Sequence, residues 1–432
     1  MTMTETKPVV VRNRFINASA EHTEPAYDSG NVSPGTQLNN IEIPAYGYLS
    51  GLLLQVDVTS SGNSATVALA QDGPFNILQN VNLTDVNGAN LIGPMTGFDL
   101  FLAAKYGGYD HSSDPKQKAY YAQSATGSGG TAGTESFLVR LPVQINPRDA
   151  YGALPNMNAA SSFKLNITIN SLANAFATPP NGTVTVRVRV VMEAWMLPAA
   201  ADAFGNPNEQ APPGVGSYQR WVKNTLTVNN GANTLRLPNV GNLIRTLILV
   251  FRNATPARID TTFMDPIQQN IDGLTILNNS RAVTIEYLQE RYGYVGTAEA
   301  AGARETGVFV YDYTHELDGK PGFETRELYL RTNQATRLEY QGTTSAAGTL
   351  DVLTNDEANN PFPETPLRVL DIDLAARTAT VEPGLVLDHL NAALAPHRLR
   401  FAPDVSSASR ATLGGMMANN SSGARSAGRG RG

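Results

Sequence analysis

From Ile41 onward the apolar positions fall in short runs separated by turn clusters: YLSGLLLQVDVTS, ATVALAQ, NILQNVNLTDVNG, ESFLVRLPVQI, SFKLNITINS and TVTVRVRVVMEAWML. The last run alternates strictly. Val184, Val186, Val188 and Val190 lie on one side and Thr185, Arg187 and Arg189 on the other, the period of a strand with one buried face. Asp85-Val-Asn-Gly88 supplies turn chemistry at a strand end. One helix is predicted in this region, Thr96 to Lys105, with Phe98, Leu102 and Phe101 on its apolar face and Tyr106-Gly-Gly-Tyr109 as its stop. After a Pro/Gly/Asn-rich stretch, Asp202 to Ser217, the pattern restarts. NTLTVNNGANTLRLP, NLIRTLILVFRN, DGLTILNNS and GVFVYDYTHEL read as strands. Arg281 to Arg291 reads as a helix, with Val283, Tyr287 and Leu288 at helical spacing and Tyr292-Gly293-Tyr294 behind it. Residues 1–40 show no period and read as an extended arm.

The two halves share an order: strands, one helix, an aromatic-glycine stop, a polar loop, more strands. LAAKYGGY in the first half sits opposite LQERYGYV in the second. This is a weak internal repeat of domain size, and it points to two copies of one β-sandwich. The competing reading is that any two β domains can each contain one helix ending in glycine. The fold class expected is all-β: two tandem jelly-roll β-sandwiches with a small α+β C-terminal fragment. The expected divisions are an arm at 1–40, a first jelly roll at 41–200, a linker at 201–224, a second jelly roll at 225–357, a linker at 358–366 and a C-terminal fragment with a basic tail at 367–432.

Composition narrows the chemistry. The chain has 432 residues, 41% hydrophobic and only 16% charged, with 38 Gly and 26 Pro. There is no Cys, which excludes disulfides, thiolate zinc sites and cysteine nucleophiles. A formal net charge of -6 gives no support to nucleic-acid binding. The charge is uneven: residues 366–432 hold eight Lys/Arg against five Asp/Glu, a net +3, and leave -9 for the rest. No apolar run has the length of a membrane span, and the N-terminus lacks the apolar core of a signal peptide. A soluble protein synthesised in a host cytoplasm is expected. Within 41–357 the only histidines are His111 and His315. Each has one adjacent acidic neighbour, which faces away on a strand, so both read as ordinary surface residues and no metal site is expected. Asn82-Leu-Thr and Asn166-Ile-Thr fall in expected strands and carry no meaning without secretion. Lys7, Arg12 and Arg14 beside Val9–Val11, Phe15 and Ile16 make the arm basic and apolar. It suits an anionic membrane or a neighbouring subunit; a disordered tail is the alternative.

VALAQDGPFNILQNVNLTDVNG followed by TGFDLFLAAKYGGY resembles the first jelly roll of major capsid proteins from tailless, membrane-containing icosahedral phages, the tectivirus type. The positions that carry the resemblance are Ala68, Leu69, Gly73, Pro74, Asn76, Ile77, Leu78, Gln79 and Val81. FLVRLPVQI with DAYGALPNMNAASSFKLNITINS resembles the next strands, and MEAWMLP the exit strand. The resemblance covers about 41–200; over 225–357 it rests on order and spacing. It implies a double jelly roll, three subunits per pseudo-hexagonal capsomer, neighbouring capsomers and other virion proteins as partners, and an internal viral membrane that the arm reaches.

Leu367 to Ser426 belongs to a different pattern. LRVLDID and TATVEPG read as strands, and VLDHLNAALAPH as an amphipathic helix with Leu387, Leu390 and Leu394 inward. This stretch resembles the FAD-binding domain of FAD-linked oxidases of the glycolate-oxidase and D-lactate-dehydrogenase type. The residues matching the family's FAD motif are Pro383 and Gly384, then Pro403, Ser406 and Ser407, then Gly414, Gly415, Asn419, Asn420, Ser421 and Gly423. Small residues suit close approach of backbone N–H groups to a pyrophosphate. The chain departs from the family upstream, where TSAAGTLDVLTNDEANNPFPETP replaces the glycine-rich phosphate loop, and Arg398 stands where the family has Gly. The motif therefore reads as vestigial: no functional cofactor, no metal, no catalytic residue and no enzyme activity are expected. The reading favoured is a structural capsid protein of a virion. Two alternatives stand beside it: a fragment of an FAD-linked 2-hydroxy-acid dehydrogenase fused to a β module, and a viral spike or receptor-binding β-sandwich protein.

Overall fold

The computed structural model describes residues 12–63, 66–109, 114–124, 131–160, 162–214, 217–238, 240–294, 298–314, 329–332, 335, 337–357, 369–374, 376–381 and 387–401. They fall into two units, Met1–Asn359 and Asn360–Gly432.

In the first unit, alternation builds the first sandwich. β12 (Val184–Trp195) buries every second residue. It lies between β1 (Glu21–Asp28) and β3 (Tyr48–Asn63), and the sheet continues through β8 (Thr131–Pro142) to β7 (Ala122–Gln123), with β9 (Leu154–Pro155) also on β3. The facing layer runs β6 (Asn90–Met95), β5 (Leu78–Thr84), β10 (Lys164–Ile169), β2 (Gln37–Glu42). Asp85 accepts from the Asn87 and Ala89 amides and Gly88 takes φ 84°, which closes the β5–β6 turn. A small pair, β4 (Ala68–Leu69) with β11 (Phe176–Thr178), lies outside these layers.

The second sandwich repeats this plan. One layer runs β13 (Gln219–Val228), β21 (Gly348–Glu357), β15 (Leu243–Asn253), β18 (Val308–Asp312), with β19 (Leu330–Arg331) also on β15. The other runs β14 (Gly231–Leu237), β20 (Leu338–Thr344), β16 (Ile267–Ile271), β17 (Leu274–Asn279). The order β1-β12-β3-β8 corresponds strand for strand to β13-β21-β15-β18, and β2-β10-β5-β6 to β14-β20-β16-β17. Of the short helices, α1 (Phe15–Ala18) precedes β1 and α3 (Leu172–Ala175) follows β10. The two longer ones occupy equivalent places: α2 (Gly97–Tyr106) follows β6, and α4 (Arg281–Tyr292) follows β17. The fold is a double jelly roll.

The two rolls share one sheet. β13 lies parallel to β6, Trp221 opposite Ile92, so a single nine-stranded sheet runs from one sandwich into the other. β15 shows the consequence. Its run LIRTLILVF is buried without a break. Leu247, Leu249 and Phe251 enter the core of the second sandwich, while Ile248 and Val250 join the apolar cluster of the first. Continuous rather than alternating apolarity is what a strand covered on both faces requires.

Three expectations need correction. The arm assigned to 1–40 contains structure: β1 pairs with β12 from Glu21↔Trp195 to Asp28↔Arg189, and β2 pairs with β10. Both are edge strands with few inward residues, so neither produces a hydrophobic period. Phe15 is buried among Tyr48, Ala150, Ala153 and Trp195, and Asn13 donates to Asp202 and Asn208. The linker assigned to 201–224 is shorter, because β13 begins at Gln219. In α4, Val283 and Tyr287 are exposed, and Thr284 and Leu288 are the buried positions.

The second unit holds β22 (Val369–Asp373) paired with β23 (Thr378–Val381), then α5 (Leu387–Leu394) and a single turn, Ala395–His397. Leu387, Leu390 and Leu394 are buried. Arg398 takes φ 56° as the C-cap of that turn, a left-handed conformation that glycine adopts at least cost.

A chain ending at Asn359 is expected to keep the near-UV circular dichroism and single cooperative melting of the sandwiches. A chain ending at Ala347 loses β21, the strand between β13 and β15, and is expected to be unfolded or insoluble. Equal behaviour of the two truncations on size exclusion and melting would show the boundary to be misplaced.

Candidate functional site

The FAD-motif positions Pro383, Gly384, Pro403, Ser406, Ser407, Gly414, Gly415, Asn419, Asn420, Ser421 and Gly423 lie outside the described residues, as do His111, His315 and the arm residues Lys7 and Val9–Val11. Among the described residues no group of three or more His, Cys, Asp or Glu is placed to hold a metal ion, and no helix is long and apolar enough to cross a membrane. The richest assembly of charged side chains is the junction between the two sandwiches, and α2 is its centre.

The local sequence sets α2 in place. Thr96 accepts from the Asp99 amide at 3.1 Å, and the Asp99 carboxylate accepts from the Thr96 amide at 2.8 Å, a reciprocal cap. Gly97 lets the first turn sit against the Phe75 carbonyl, where a Cβ would collide. All ten residues of the helix are buried. Phe98 and Phe101 stack with each other and Phe75 with Phe101.

Charges then cross from one sandwich to the other. Lys105 is fully buried, donates to Glu305 at 2.7 Å, lies 3.5 Å from Asp114, and sits 4.5 Å above the Tyr294 ring. The Tyr106 hydroxyl donates to the same Glu305 at 2.7 Å. Burial, then the Glu305 charge, holds that phenol well above its ordinary value. Arg245, also buried, donates to the Gly107 carbonyl at 3.1 and 3.2 Å, capping the end of α2 with a cation as its dipole favours. Asp99, besides capping, receives Lys223 at 2.9 Å; Lys223 also reaches Asp351 at 3.3 Å. Burial alone would depress the Lys223 ammonium, but the Asp99 and Asp351 carboxylates outweigh it and hold the group above the usual lysine value. Arg258 pairs with Asp72 at 2.7 Å and Glu299 at 2.9 Å, donates to the Gln71 carbonyl, and covers the Phe98 ring at 4.5 Å. Gln219 on β13 links the two sandwiches, donating to the Gln144 carbonyl at 2.7 Å and accepting from Tyr109 and Asn355.

The chemistry is mechanical. The cations and carboxylates are ion-paired, with Lys105, Glu305 and Arg258 fully buried and Lys223, Asp72 and Glu299 partly so, so the arrangement fixes the angle between the two sandwiches. Sequence reading missed these residues. Two signals were present: Lys105 within LFLAAKYGGY and Arg245 within NLIRTLILVF are each a charge inside an apolar run, which is tolerated only when a buried partner is supplied.

In comparisons with solved structures the chain is similar to the STIV MCP (TM-score 0.56, 14% identity, 78% of this chain and 97% of that one). It is similar also to the PBCV-1 virus capsid protein (0.55, 13%, 82% and 96%) and the Faustovirus major capsid protein (0.52, 10%, 83% and 92%). The shared feature is the fold. A family described as FAD binding domain matches residues 366–431. Over 55 residues, 13% of this chain, it is 49% identical to a D-2-hydroxyglutarate dehydrogenase of Pseudomonas putida and 46% identical to that of Haemophilus influenzae. The chain spans 6% and 5% of the length of those two enzymes.

Two outcomes are expected. Lys105→Met removes the closest cation from buried Glu305 and Asp114, leaving Lys116 at 3.9 Å from Glu305, and should cost about 3–5 kcal/mol; adding Glu305→Gln should recover part of it, read by urea titration of both variants. Glu135 points inward from β8, and burial pushes its carboxyl up from 4.5 to about 7. A raised acid stabilises the fold fully below its unfolded value, and that stability is lost as pH rises through the folded one. Glu135→Gln should therefore flatten the pH profile between pH 4.5 and 7 and gain about 1–3 kcal/mol at the alkaline end. An unchanged profile would count against the burial argument.

Proposed function

We propose that the chain is a structural major capsid subunit, forming trimeric pseudo-hexagonal capsomers in the shell of an icosahedral virus. The observation that carries this is the same eight-strand plan built twice and locked into one block by a shared sheet and buried ion pairs. A shell subunit needs that rigidity and needs no accessible titratable cluster. The likeness in fold to viral capsid proteins supports the reading. The tectivirus-type lineage, a contact of the N-terminal segment with an internal membrane, and partnership with other virion proteins belong to the same proposal.

A second reading has its own support: the 66-residue FAD-binding-domain match and the local identity to D-2-hydroxyglutarate dehydrogenases favour a fragment of a flavin-linked oxidoreductase fused to a β module. We place it second because the upstream phosphate-cradling loop of that family has no counterpart here.

Native mass spectrometry and flavin absorbance of one preparation test both. A colourless trimer is expected. A monomer that keeps a yellow flavin through desalting would reverse the ranking.

A further inference from the structure

The Lys105 cluster at the junction holds a primary amine against two carboxyl groups. Lys105 Nζ donates to Glu305 Oε1 at 2.7 Å and to the Ala303 carbonyl, and lies 3.5 Å from Asp114 Oδ2. The side chains of Lys105, Asp114 and Glu305 are each at most 1% exposed. The rings of Tyr294, Tyr106 and Phe101 stand 4.5, 5.5 and 5.6 Å from the amine. Lys116 lies 3.9 Å from Glu305 and over the Phe101 ring. In so enclosed and aromatic a setting, the neutral forms of an amine and a carboxyl gain on the charged ones.

The two carboxyls are held in different ways. Glu305 accepts from the amine through one oxygen and from the Tyr106 hydroxyl, at 2.7 Å, through the other. It is placed to take a proton from Nζ. Asp114 has a backbone amide on each oxygen: Lys116 donates to Oδ1 at 2.8 Å and Gly302 donates to Oδ2. Two such donors fix the orientation of the carboxyl and stabilise negative charge that grows on its oxygens. The approach of the Gly302 amide depends on glycine: its φ is 79°, and a Cβ there would collide with Gln117 Nε2.

We propose that Lys105 and Asp114 condense to an intramolecular amide bond, with Glu305 as the catalytic base. Nζ gives a proton to Glu305, and the freed lone pair attacks Asp114 Cγ. The oxygens of the tetrahedral intermediate rest on the Gly302 and Lys116 amides. Nitrogen loses a second proton, the C–O bond to one oxygen breaks, and that oxygen leaves as water with both protons, relayed by Glu305. An ammonium and a carboxylate become one neutral amide and one water, and Glu305 ends as the carboxylate it was, with Tyr106 and Lys116 still beside it. No oxidant, reductant or cofactor enters. The fold supplies the proximity and the dry surroundings that this condensation lacks in free solution. Because Glu305 and Gly302 come from the second sandwich and Lys105 and Asp114 from the first, the bond forms only in a chain whose sandwiches have docked. It is one event per chain and ties the end of α2 to the segment below it.

Mass spectrometry of the full chain tests this. The parent is expected to be one water lighter than its sequence. Tryptic peptides are expected to lack cleavage after Lys105 and to carry the loss in a branched peptide joining Lys105 to Asp114. A succinimide at Asp114 is no competing source of that loss, since Pro115 follows and a proline nitrogen has no hydrogen to give up. Lys105→Arg and Asp114→Ala are expected at their full sequence masses. Glu305→Gln, checked for folding by circular dichroism, is expected to stay at full mass over the time in which the parent converts, because loss of a general base slows such a step about 100-fold or more. A parent at its full sequence mass overturns the proposal, whether or not the variants fold. A water loss that survives Asp114→Ala, or that maps to another pair of residues, overturns the assignment of the bond. Conversion of Glu305→Gln at the parent's rate overturns the role of Glu305.

Discussion

The parallel pairing of β13 with β6 is the constraint on which the rest of the molecule depends. A jelly roll normally ends its sheets in edges, and an edge is an invitation to associate. Here the edge of one sandwich is used to start the next. Once Trp221 stands opposite Ile92, the sheet of the second sandwich must pass over α2, and both faces of β15 become interior. The continuous apolar run of β15 and the complete burial of α2 follow from that single placement.

The buried charges are explained by the same geometry. Replacing ion pairs with apolar residues is often neutral or stabilising, so Lys105, Glu305, Lys223 and Arg258 do not earn their positions through stability alone. An apolar surface between two sandwiches tolerates sliding. A seam in which Lys105 must meet Glu305, Lys223 must meet Asp99, and Arg245 must meet the carbonyl of Gly107 does not, because each mismatch leaves a buried group without a partner. The pairs therefore act on orientation.

Strands with one or two covered faces were legible in the sequence, as β12 and β15 illustrate: alternation in the first, an unbroken apolar run in the second. Both helices were legible from their stops and spacing. β1 and β2 were not, because an edge strand in EHTEPAYD or QLNNIE takes its place from backbone pairing with β12 and β10 and leaves no apolar period. The buried face of α4 was misassigned for a related reason. Spacing alone admits Val283, Tyr287 and Leu288 together, whereas the helix turns Thr284 and Leu288 inward. The junction left only Lys105 and Arg245 as visible anomalies; its remaining members come from α2, β13, β21 and loops, whose convergence no local pattern records.

Comparison of the two copies shows how coverage is written into an otherwise common plan. β6 and β17 hold the same place in the topology, as do α2 and α4. Yet β6 reads NLIGPM with Leu91, Ile92 and Met95 buried, while β17 reads LTILNN with no fully buried residue. α2 reads GFDLFLAAKY and is interior on every side; α4 reads RAVTIEYLQERY and has charged residues on its open side. If α4 were destined for bulk water alone, Val283 and Tyr287 would gain nothing from their position, and the same holds for Leu274 and Ile276 on an edge strand. If it were destined for permanent cover during folding, as α2 is, Glu286 and Glu290 would be costly to bury unpaired. The open side of α4 is therefore neither a purely solvated face nor a buried one, and that is where the two copies of the plan part.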